Sequence, residues 1–361
     1  GTYSDCTITV TNQQLNLKYS LTITSFTVVC GSCVQMGGSF QGSELSLTDN
    51  VTTLAGTCLE SGSNDNDTGT EASFYQPFDI TTDGTNLYVA DTKNNTIRQV
   101  VILTTAVTTL TSASFNDPKG ITTDGTNLYV ADTKNHKIRQ IVINNGTVTT
   151  LAGEGPTGSR DHATGTSARF YRPYGITTDG TNLYVADTLN HKIRQIVIDN
   201  GTVTTLAGDG SQGSTDDPTG TSASFHTPMG ITTDGTNLYV ADTINDLIRQ
   251  IVIDNGTVTT LAGDGSIGST DHATGTSASF NDPTGITTDG TNLYVADRGN
   301  KKVRQIVIDN GTVTTLAGNG GTGCLDRASS AATFRQPAGI TTDGIDLYVI
   351  EQGNHLIRKI D

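Results

Sequence analysis

The apolar residues of this chain, chiefly Val, Ile, Leu and Tyr, stand in short groups separated by Gly, Thr, Asn and Asp. This pattern is typical of many short β-strands joined by tight turns. Within residues 175–208 the first turn is marked by Asp179-Gly180 and the last by Asn200-Gly201, dipeptides that accept a positive φ. The predicted strands of this unit are residues 175–178, 183–187, 192–198 and 202–207.

The unit recurs six times along the chain. Its most constant segment is Gly-Ile-Thr-Thr-Asp-Gly-Thr-Asn-Leu-Tyr-Val-Ala-Asp, with a typical period of 55 residues, compatible with propeller blades. Leu183–Ala186 is apolar on both strand faces, which suits a blade packed between two neighbours. Four strands per unit predict six four-stranded blades. The first Asp of each copy is Asp83, Asp124, Asp179, Asp234, Asp289 or Asp343, and the Arg 15 positions later is Arg98, Arg139, Arg194, Arg249, Arg304 or Arg358.

The position of the last strand predicts how the ring closes. Its motif, Val-Thr-Thr-Leu, first occurs at Val51, before any complete unit, whereas the sixth unit ends at Asp361 after three strands. Residues 51–56 therefore complete the last blade and protect its edge. The predicted fold is an all-β, six-bladed β-propeller over residues 47–361, preceded by an N-terminal β arm over residues 1–46.

The repeat resembles that of the NHL-repeat propellers. The run Phe-x-x-Pro-x-Gly-Ile, Asp-Gly, Leu-Tyr-Val-Ala-Asp, Asn-His-x-Ile-Arg and Thr-Val-Thr-Thr-Leu-Ala-Gly is complete in residues 170–208, and the resemblance extends over roughly residues 48–361. The chain has no Trp, unlike WD-type propellers. The resemblance implies the fold but no single function, because the family includes RNA-binding modules, an amidating lyase, sensor ectodomains and structural units.

The N-terminal extension alternates apolar and polar residues, with a change of phase that a bulged strand would produce. About 46 residues seldom build a core of their own. We therefore expect the arm to pack either on its own propeller or, by strand addition, on the next copy of the chain. The residues expected to mediate self-assembly are Leu17, Tyr19, Leu21, Ile23, Phe26 and Val28.

The net charge and the cysteine content limit the cellular compartments and the classes of partner that this chain is expected to have. A net charge of −15 and a pI near 4.6 disfavour binding to a phosphate backbone. No apolar run is long enough for a membrane span, and the start at Gly1 suggests a processed polypeptide. Five cysteines without zinc-site spacing indicate an oxidising, extracellular location. We predict a Cys58–Cys324 disulfide across the ring closure, and a second bond from Cys6 to Cys30 or Cys33.

Several motifs suggest chemistry that their context argues against. Four Gly-x-Gly-x-x-Gly loops follow outer strands and lack the βαβ unit of a dinucleotide site. The Asp of Val-Ala-Asp and the Arg of Ile-Arg recur in every blade, as structural ion pairs would. His136, His191 and His355 hold one framework position, and no His lies on an inner strand to bind zinc as in the related lyase. We predict neither catalytic residues nor a cofactor.

Calcium is the alternative to a metal-free protein. The interblade loops carry acidic residues at matching positions, and carboxylates are suitable calcium ligands. No EF-hand spacing occurs, and single carboxylates in Gly/Ser/Thr loops are common turn formers. The candidate ligands are Asn64, Asp65, Asn66, Asp67, Asp161, Asp216, Asp271 and Asp326.

Seven Asn-x-Thr sequons make the chain a candidate glycoprotein. Four are Asn-Gly-Thr in the hairpin before the outer strand, where turn formation by itself explains the Asn-Gly. The candidate acceptors are Asn50, Asn66, Asn94, Asn145, Asn200, Asn255 and Asn310.

One interblade loop is missing. Leu110 lies 14 positions before Asp124, whereas Leu151 lies 28 positions before Asp179. The gap leaves a notch in the loop-rich face, which either admits a neighbour or is a harmless deletion.

Regular acidic blades favour a building block over a catalyst. We predict a non-enzymatic structural protein of the cell surface that assembles head to tail through its arm into a filament or pilus-like fibre. The alternative is a secreted or cell-surface ligand-binding or adhesive module, and a lyase-type enzyme is the third choice. The expected partner is a further copy of the chain, with a surface protein or a glycan as alternatives, and we expect neither nucleic acid nor membrane insertion.

Overall fold

A computed structural model describes Leu45, Leu47, residues 50–111 and residues 113–361. These residues belong to the compact unit that begins at Gly42. They form an all-β ring of six blades, each an antiparallel sheet, which confirms the predicted fold class. Apart from Leu45, the arm predicted over residues 1–46 lies outside the described residues.

The strands of blades 1 to 5 follow chain order from the inner to the outer edge. Blade 1 contains β2 (Asp79–Thr82), β3 (Asn86–Asp91), β4 (Thr96–Val101) and β5 (Val107–Thr111). Blade 2 contains β6 (Pro118–Thr123), β7 (Asn127–Asp132), β8 (Lys137–Val142) and β9 (Val148–Ala152). Blade 3 contains β10 (Pro173–Thr178), β11 (Asn182–Asp187), β12 (Lys192–Val197) and β13 (Val203–Ala207). Blade 4 contains β14 (Pro228–Thr233), β15 (Asn237–Asp242), β16 (Leu247–Val252) and β17 (Val258–Ala262). Blade 5 contains β18 (Pro283–Thr288), β19 (Asn292–Asp297), β20 (Lys302–Val307) and β21 (Val313–Ala317).

Blade 6 closes the ring with a strand from the other end of the chain. Its strands are β23 (Pro337–Thr342), β24 (Leu347–Glu351), β25 (Leu356–Ile360) and β1 (Asn50–Ala55), with the short β22 (Arg327–Ala328) added outside β1. β1 runs antiparallel to β25, and Val51 faces Ile360. The predicted closure by residues 51–56 is therefore confirmed, one residue earlier at each end.

Short helices occur in the loops and turns. In the described part of the chain all of them are 3₁₀ helices, and none has the length and apolar character needed to cross a bilayer. They span Gly69–Glu71, Thr92–Asn94, Thr133–Asn135, Gly165–Ser167, Thr188–Asn190, Gly220–Ser222, Thr243–Asn245, Gly275–Ser277 and Ser329–Ala331.

The cores lie between blades, because the second strand of each blade is apolar on both faces. In blade 3, Leu183 and Val185 pack against blade 2, whereas Tyr184 and Ala186 pack against blade 4. All four side chains are fully buried. Burial of one such large side chain contributes about 1.5–3 kcal/mol, so each blade is stabilised by both neighbours.

The turn between the first two strands is built alike in each blade. In blade 3, Gly180 has a φ of +87°, and the Asp179 carboxylate accepts hydrogen bonds from the N–H groups of Thr181 and Asn182. The Tyr184 hydroxyl donates to the same carboxylate at 2.8 Å. Partial burial favours a raised pKa for Asp179, but these hydrogen bonds outweigh it and lower the pKa. The predicted Asp-Gly turn is thus tied to the core by its Asp.

Candidate functional site

The repeated Asp and Arg side chains form buried networks that hold each blade to its loop. In blade 3, Arg194 bonds Asp187 of the neighbouring strand at 2.7 Å and also bonds Asp161 of the preceding interblade loop. Arg194 is fully buried, and its guanidinium lies 5.1 Å from the centre of the Phe170 ring. This arrangement supports the structural interpretation of the Asp and Arg positions.

The loop aspartates serve as arginine partners rather than as a calcium cluster. Asp161 accepts hydrogen bonds from Arg194 and from the N–H and hydroxyl of Thr205 in the outer strand. Within the described residues no group of three or more His, Cys, Asp or Glu side chains could hold a metal ion. These carboxylates are already bound by cationic and N–H donors, an arrangement that disfavours calcium at these positions. The aspartates used in this way are Asp65, Asp161, Asp216, Asp271 and Asp326.

The framework histidines join successive blades. The Nδ1 atoms of His136, His191 and His355 accept hydrogen bonds from backbone N–H groups of the next blade's loop. Each of these residues has a positive φ, and burial lowers the pKa of each ring. Asn95 and Asp246 accept the corresponding hydrogen bonds where His is replaced. These residues therefore orient loops.

The sequon residues fall into two classes. Asn94 donates its Nδ2 to the Gly62 carbonyl and the Asp91 carboxylate, so this amide is occupied within the fold. A glycan on Asn94 would have to displace these hydrogen bonds, and glycosylation there stays a prediction. The Asn residues of the hairpin sequons are exposed, and their Oδ1 atoms accept hydrogen bonds within the turn. Of the other two, Asn50 is exposed and Asn66 is half-buried. Glycosylation of the hairpin positions stays a prediction for Asn145, Asn200, Asn255 and Asn310.

The ring closure carries the predicted disulfide. Cys58, just after β1, bonds Cys324 in the loop that enters blade 6, with Cα atoms 6.3 Å apart. The bond links positions 266 residues apart in sequence. Cys6, Cys30 and Cys33 lie outside the described residues, and so do all six predicted self-assembly residues of the arm. The second disulfide and the self-assembly role of the arm therefore stay predictions.

Differences between the blades concentrate on one face of the ring, around the central axis. The interblade loops meet the turns between second and third strands on this face, where Asn190 bonds the Gly158 carbonyl at 2.6 Å. The residue before the inner-strand Gly, which is replaced by Asp79 in blade 1, differs in every blade: Phe78, Lys119, Tyr174, Met229, Thr284 and Ala338. The two residues before the Pro also vary: Tyr75-Gln76, Asn116-Asp117, Tyr171-Arg172, His226-Thr227, Asn281-Asp282 and Arg335-Gln336. We call this variable region the channel mouth.

The axis beneath the channel mouth is nearly closed. The Phe78 and Tyr174 rings meet edge to face at 5.6 Å although they belong to blades 1 and 3, and Lys119 Nζ lies 4.2 Å from the Phe78 ring centre. Deeper in, a side chain at Gly175 would place its Cβ 2.1 Å from the Met229 carbonyl oxygen. The cavity left there is about 20 Å³, sufficient for one water. A solute would therefore bind at the mouth rather than inside the channel.

Blade 1 has a half-buried acid, Asp79, where the other blades have Gly. The Asp79 carboxylate accepts a hydrogen bond from the Ile121 N–H at 3.1 Å. Burial nevertheless raises the pKa of Asp79 to about 7. Burial also lowers the pKa of Lys119 to about 8, against the attraction of the Asp117 carboxylate. The axis therefore holds two groups whose charged forms are disfavoured by desolvation.

The channel mouth carries basic side chains although the whole chain is acidic. Lys93 and Lys134 lie 2.8 Å and 3.8 Å from the Asp117 carboxylate. Between blades 5 and 6, Arg298 pairs with Asp282 at 2.9 Å. A cavity of about 290 Å³ opens beside this pair, with three basic residues and one carboxylate in its lining. Its lining residues are Asp282, Arg298, Gly299, Lys301, Thr322, Arg335 and Gln336.

The recurring motifs of the six units did not predict the channel mouth. A repeat is recognised by residues that recur in each unit, whereas the residues of the channel mouth differ from unit to unit. Alignment of the six units against one another would have shown them, since the column that contains Lys119 differs in all six blades. What that alignment could not show is that the columns converge on one axis.

Known proteins with similar sequences carry the same repeat. No protein-family model matches the chain. NHL repeat-containing protein 2 of Homo sapiens is 30% identical over 183 residues, which are 46% of this chain and 25% of that protein. The protein of the same name from Gallus gallus is 28% identical over 242 residues, or 57% of this chain and 33% of that protein. The six-bladed ring and these relatives decide the family. The chain is an NHL-repeat β-propeller.

The chain of this NHL-repeat propeller spans between 20% and 33% of the length of the curated relatives it matches. Among solved structures, an auxiliary nutrient binding protein from Bacteroides thetaiotaomicron is similar with a TM-score of 0.67 and 17% identity, covering 86% of this chain and 76% of that one. Virginiamycin B lyase from Staphylococcus aureus is similar with a TM-score of 0.50 and 18% identity, covering 78% and 79%. At these identities the likeness concerns the fold, which is shared by binding proteins and by an enzyme.

Proposed function

We propose that this propeller is a non-enzymatic binding module of an oxidising, extracellular compartment, and that its channel mouth takes a small anionic ligand. The observation that carries the proposal is the concentration of blade-to-blade differences at the mouth, next to a cavity with more basic than acidic side chains. A uniform framework with variable residues at one place is what a binding site on a repeat scaffold requires.

Charge and size support this ligand class. Arg298, Lys301 and Arg335 against Asp282 leave a local excess of two positive charges, in a chain of net charge −15. A cavity of about 290 Å³ is at the lower end of small-molecule sites. The disulfide, and the lack of a membrane-spanning helix in the described part of the chain, are compatible with a secreted protein.

The test is calorimetric titration of the purified protein with citrate, sulfate and glucuronate, with glucose as the uncharged probe. We expect at least one anion to bind, and Arg335→Ala to weaken it about tenfold, since a charge-assisted hydrogen bond is worth 1.5–3 kcal/mol. Arg327→Ala, an exposed Arg of the same blade outside the cavity, is the matched control. Equal affinity for citrate, sulfate, glucuronate and glucose, or an Arg335→Ala variant that binds as the parent does, would contradict the proposal.

Self-assembly through the N-terminal arm is the second candidate. It is favoured by one observation: among the described residues, no loop segment pairs with the outer edge of blade 2. Electron microscopy of the purified protein tests it: filaments that disappear on deletion of residues 1–41 support assembly, and monomers with the arm intact oppose it.

A further inference from the structure

Five of the six blades bind an Asp side chain at the same place on the outer strand. In blade 5 the Asp271 carboxylate accepts hydrogen bonds from Arg304 Nη2 at 2.6 Å, from the Thr315 N–H at 3.0 Å and from the Thr315 hydroxyl at 3.1 Å. The same contacts join Asp65 to Arg98 and Thr109, and Asp161 to Arg194 and Thr205. Blades 4 and 6 repeat them with Asp216, Arg249 and Thr260, and with Asp326, Arg358 and Thr53.

In each of these blades the residue after this Asp pairs with the Val at the start of the outer strand, which is the second residue of β1 in blade 6. In blade 5, His272 N–H donates to the Val313 carbonyl at 3.1 Å, and Val313 N–H donates to the His272 carbonyl at 2.9 Å. The loop thereby adds a minimal strand to the blade edge, and Val313 is fully buried. The bound unit is thus an extended Asp-X dipeptide, recognised by its carboxylate and by two backbone hydrogen bonds.

Blade 2 has the receptor without the dipeptide, because the interblade loop before it is shortened. Arg139 pairs with Asp132 at 3.1 Å, and no loop carboxylate among the described residues reaches its guanidinium. Its side chain is 16% exposed, against 0% for the other five arginines. Val148, the counterpart of Val313, is half-buried and pairs with Ile141 of β8, but no described residue pairs with it on its outer side. Thr150 is the counterpart of Thr315.

We infer that the outer edge of blade 2 is a docking site for an extended Asp-X segment, and that its occupant is the Asp5-Cys6 segment of a second copy of this chain. Arg139 and Thr150 would bind the Asp5 carboxylate, and Val148 would pair with the backbone of Cys6. The inference rests on the self-assembly candidate and is independent of ligand binding at the channel mouth.

Sequence and topology favour this occupant. Asp5 is the sole Asp in residues 1–44, and the alternating residues after it, Thr7 to Val10, suit addition to a strand edge. Leu45 is buried against blades 5 and 6, and its N–H donates to Asp289 of blade 5. Blade 5 lies opposite blade 2 in a six-bladed ring. Leu45, the first described residue, therefore lies on the side of the ring away from blade 2, which favours a segment from a second copy.

The experiment uses two variants of the full chain that should be defective in opposite halves of one contact. In the first, residues 111–117 are replaced by residues 262–282, so that blade 2 carries the loop of blade 5 and its edge is covered. In the second, Asp5→Asn removes the carboxylate, with Glu44→Gln as the matched control. Sedimentation velocity over a range of concentrations measures assembly, and a thermal melt checks that each variant is folded.

We expect the parent and Glu44→Gln to assemble, and each defective variant to associate at least about tenfold more weakly. Mixing the two defective variants should give closed 1:1 dimers, because the intact arm of one meets the open edge of the other. A third variant, Thr150→Pro, should behave like the loop replacement, since it removes an outward N–H from an edge strand without breaking the ladder.

Three results would each overturn the inference: a monomeric parent chain, undiminished assembly by the loop-replaced or Asp5→Asn chain, or a mixture that stays monomeric. Assembly that is unaffected by all three variants would leave the self-assembly candidate standing and refute this docking site alone. Binding of the anionic probes at the channel mouth should be unchanged throughout.

Discussion

Blades 2 and 3 have nearly the same strand sequences but differ in how their central arginine is held. Arg194 of blade 3 is buried between two carboxylates, one from its own sheet and one from the interblade loop. Arg139 of blade 2 retains the carboxylate from its sheet and takes the Thr149 carbonyl as a further partner. The pair shows that the sheet by itself specifies the blade, while the loop decides whether the outer edge is covered or available.

The largest effect on stability is expected when the central arginine of blade 2 or blade 3 is replaced. We expect Arg194→Gln to lower the free energy of unfolding by about 3–5 kcal/mol, because it leaves Asp187 buried without its cation. Arg139→Gln should cost about half as much, since its site is partly solvated and lacks the second carboxylate. Urea denaturation measures both. Equal losses would show that the loop adds nothing to the network.

The closing blade differs from blade 3 by its covalent link. Replacement of Cys58 and Cys324 by Ser should destabilise the protein by about 2–5 kcal/mol, because the disulfide closes a long loop in the unfolded chain. The measurement is urea denaturation with and without reductant. The parent should match the double variant once reduced, and a parent that is insensitive to reductant would contradict the expected role.

Blade 1 differs by Asp79, a half-buried and desolvated carboxyl group at the axis. With an ordinary pKa near 4 in the unfolded chain and about 7 in the fold, Asp79 keeps its proton on folding, so native stability is lost as pH rises from about 4 to 7. Asp79→Asn should remove that loss and be more stable than the parent by about 2 kcal/mol at pH 8, with little difference at pH 4. Parallel pH dependences of stability in the two proteins would refute the burial effect.

The smallest effect is expected at the constant turns. Tyr184→Phe removes the hydroxyl that donates to Asp179 and should cost about 1 kcal/mol at pH 7. Because hydrogen bonding lowers the pKa of Asp179, this contribution is present above pH 4 and lost as pH falls through the folded-state pKa. The difference from the parent should therefore shrink in acid. Tyr171→Phe, at an exposed ring on the other face, is the control and should be neutral.

Local patterns were sufficient to predict the blades. Val-Ala-Asp, Ile-Arg and the Asp-Gly turn act within one hairpin, so their effect depends on neighbours a few positions away. Ring closure followed from counting strands, since a blade with three strands must find a fourth. The binding of the loop aspartates to arginine and to the outer strand could not be predicted in this way. Asp161 contacts Arg194 and Thr205, which are 33 and 44 residues away in sequence.

The sequence by itself determined the strand repeat, the number of blades and the strand that closes the ring, because these depend on short-range periodicity and turn chemistry. Tertiary structure decided which repeated residues are occupied within the fold and which positions gather at one place. Asp161 is bound by an arginine and Asn94 by backbone and carboxylate groups, whereas Lys119 and Arg335 converge on the channel mouth. The physical reason is that ring closure brings equivalent positions of separate blades around one axis, a proximity that sequence distance does not record.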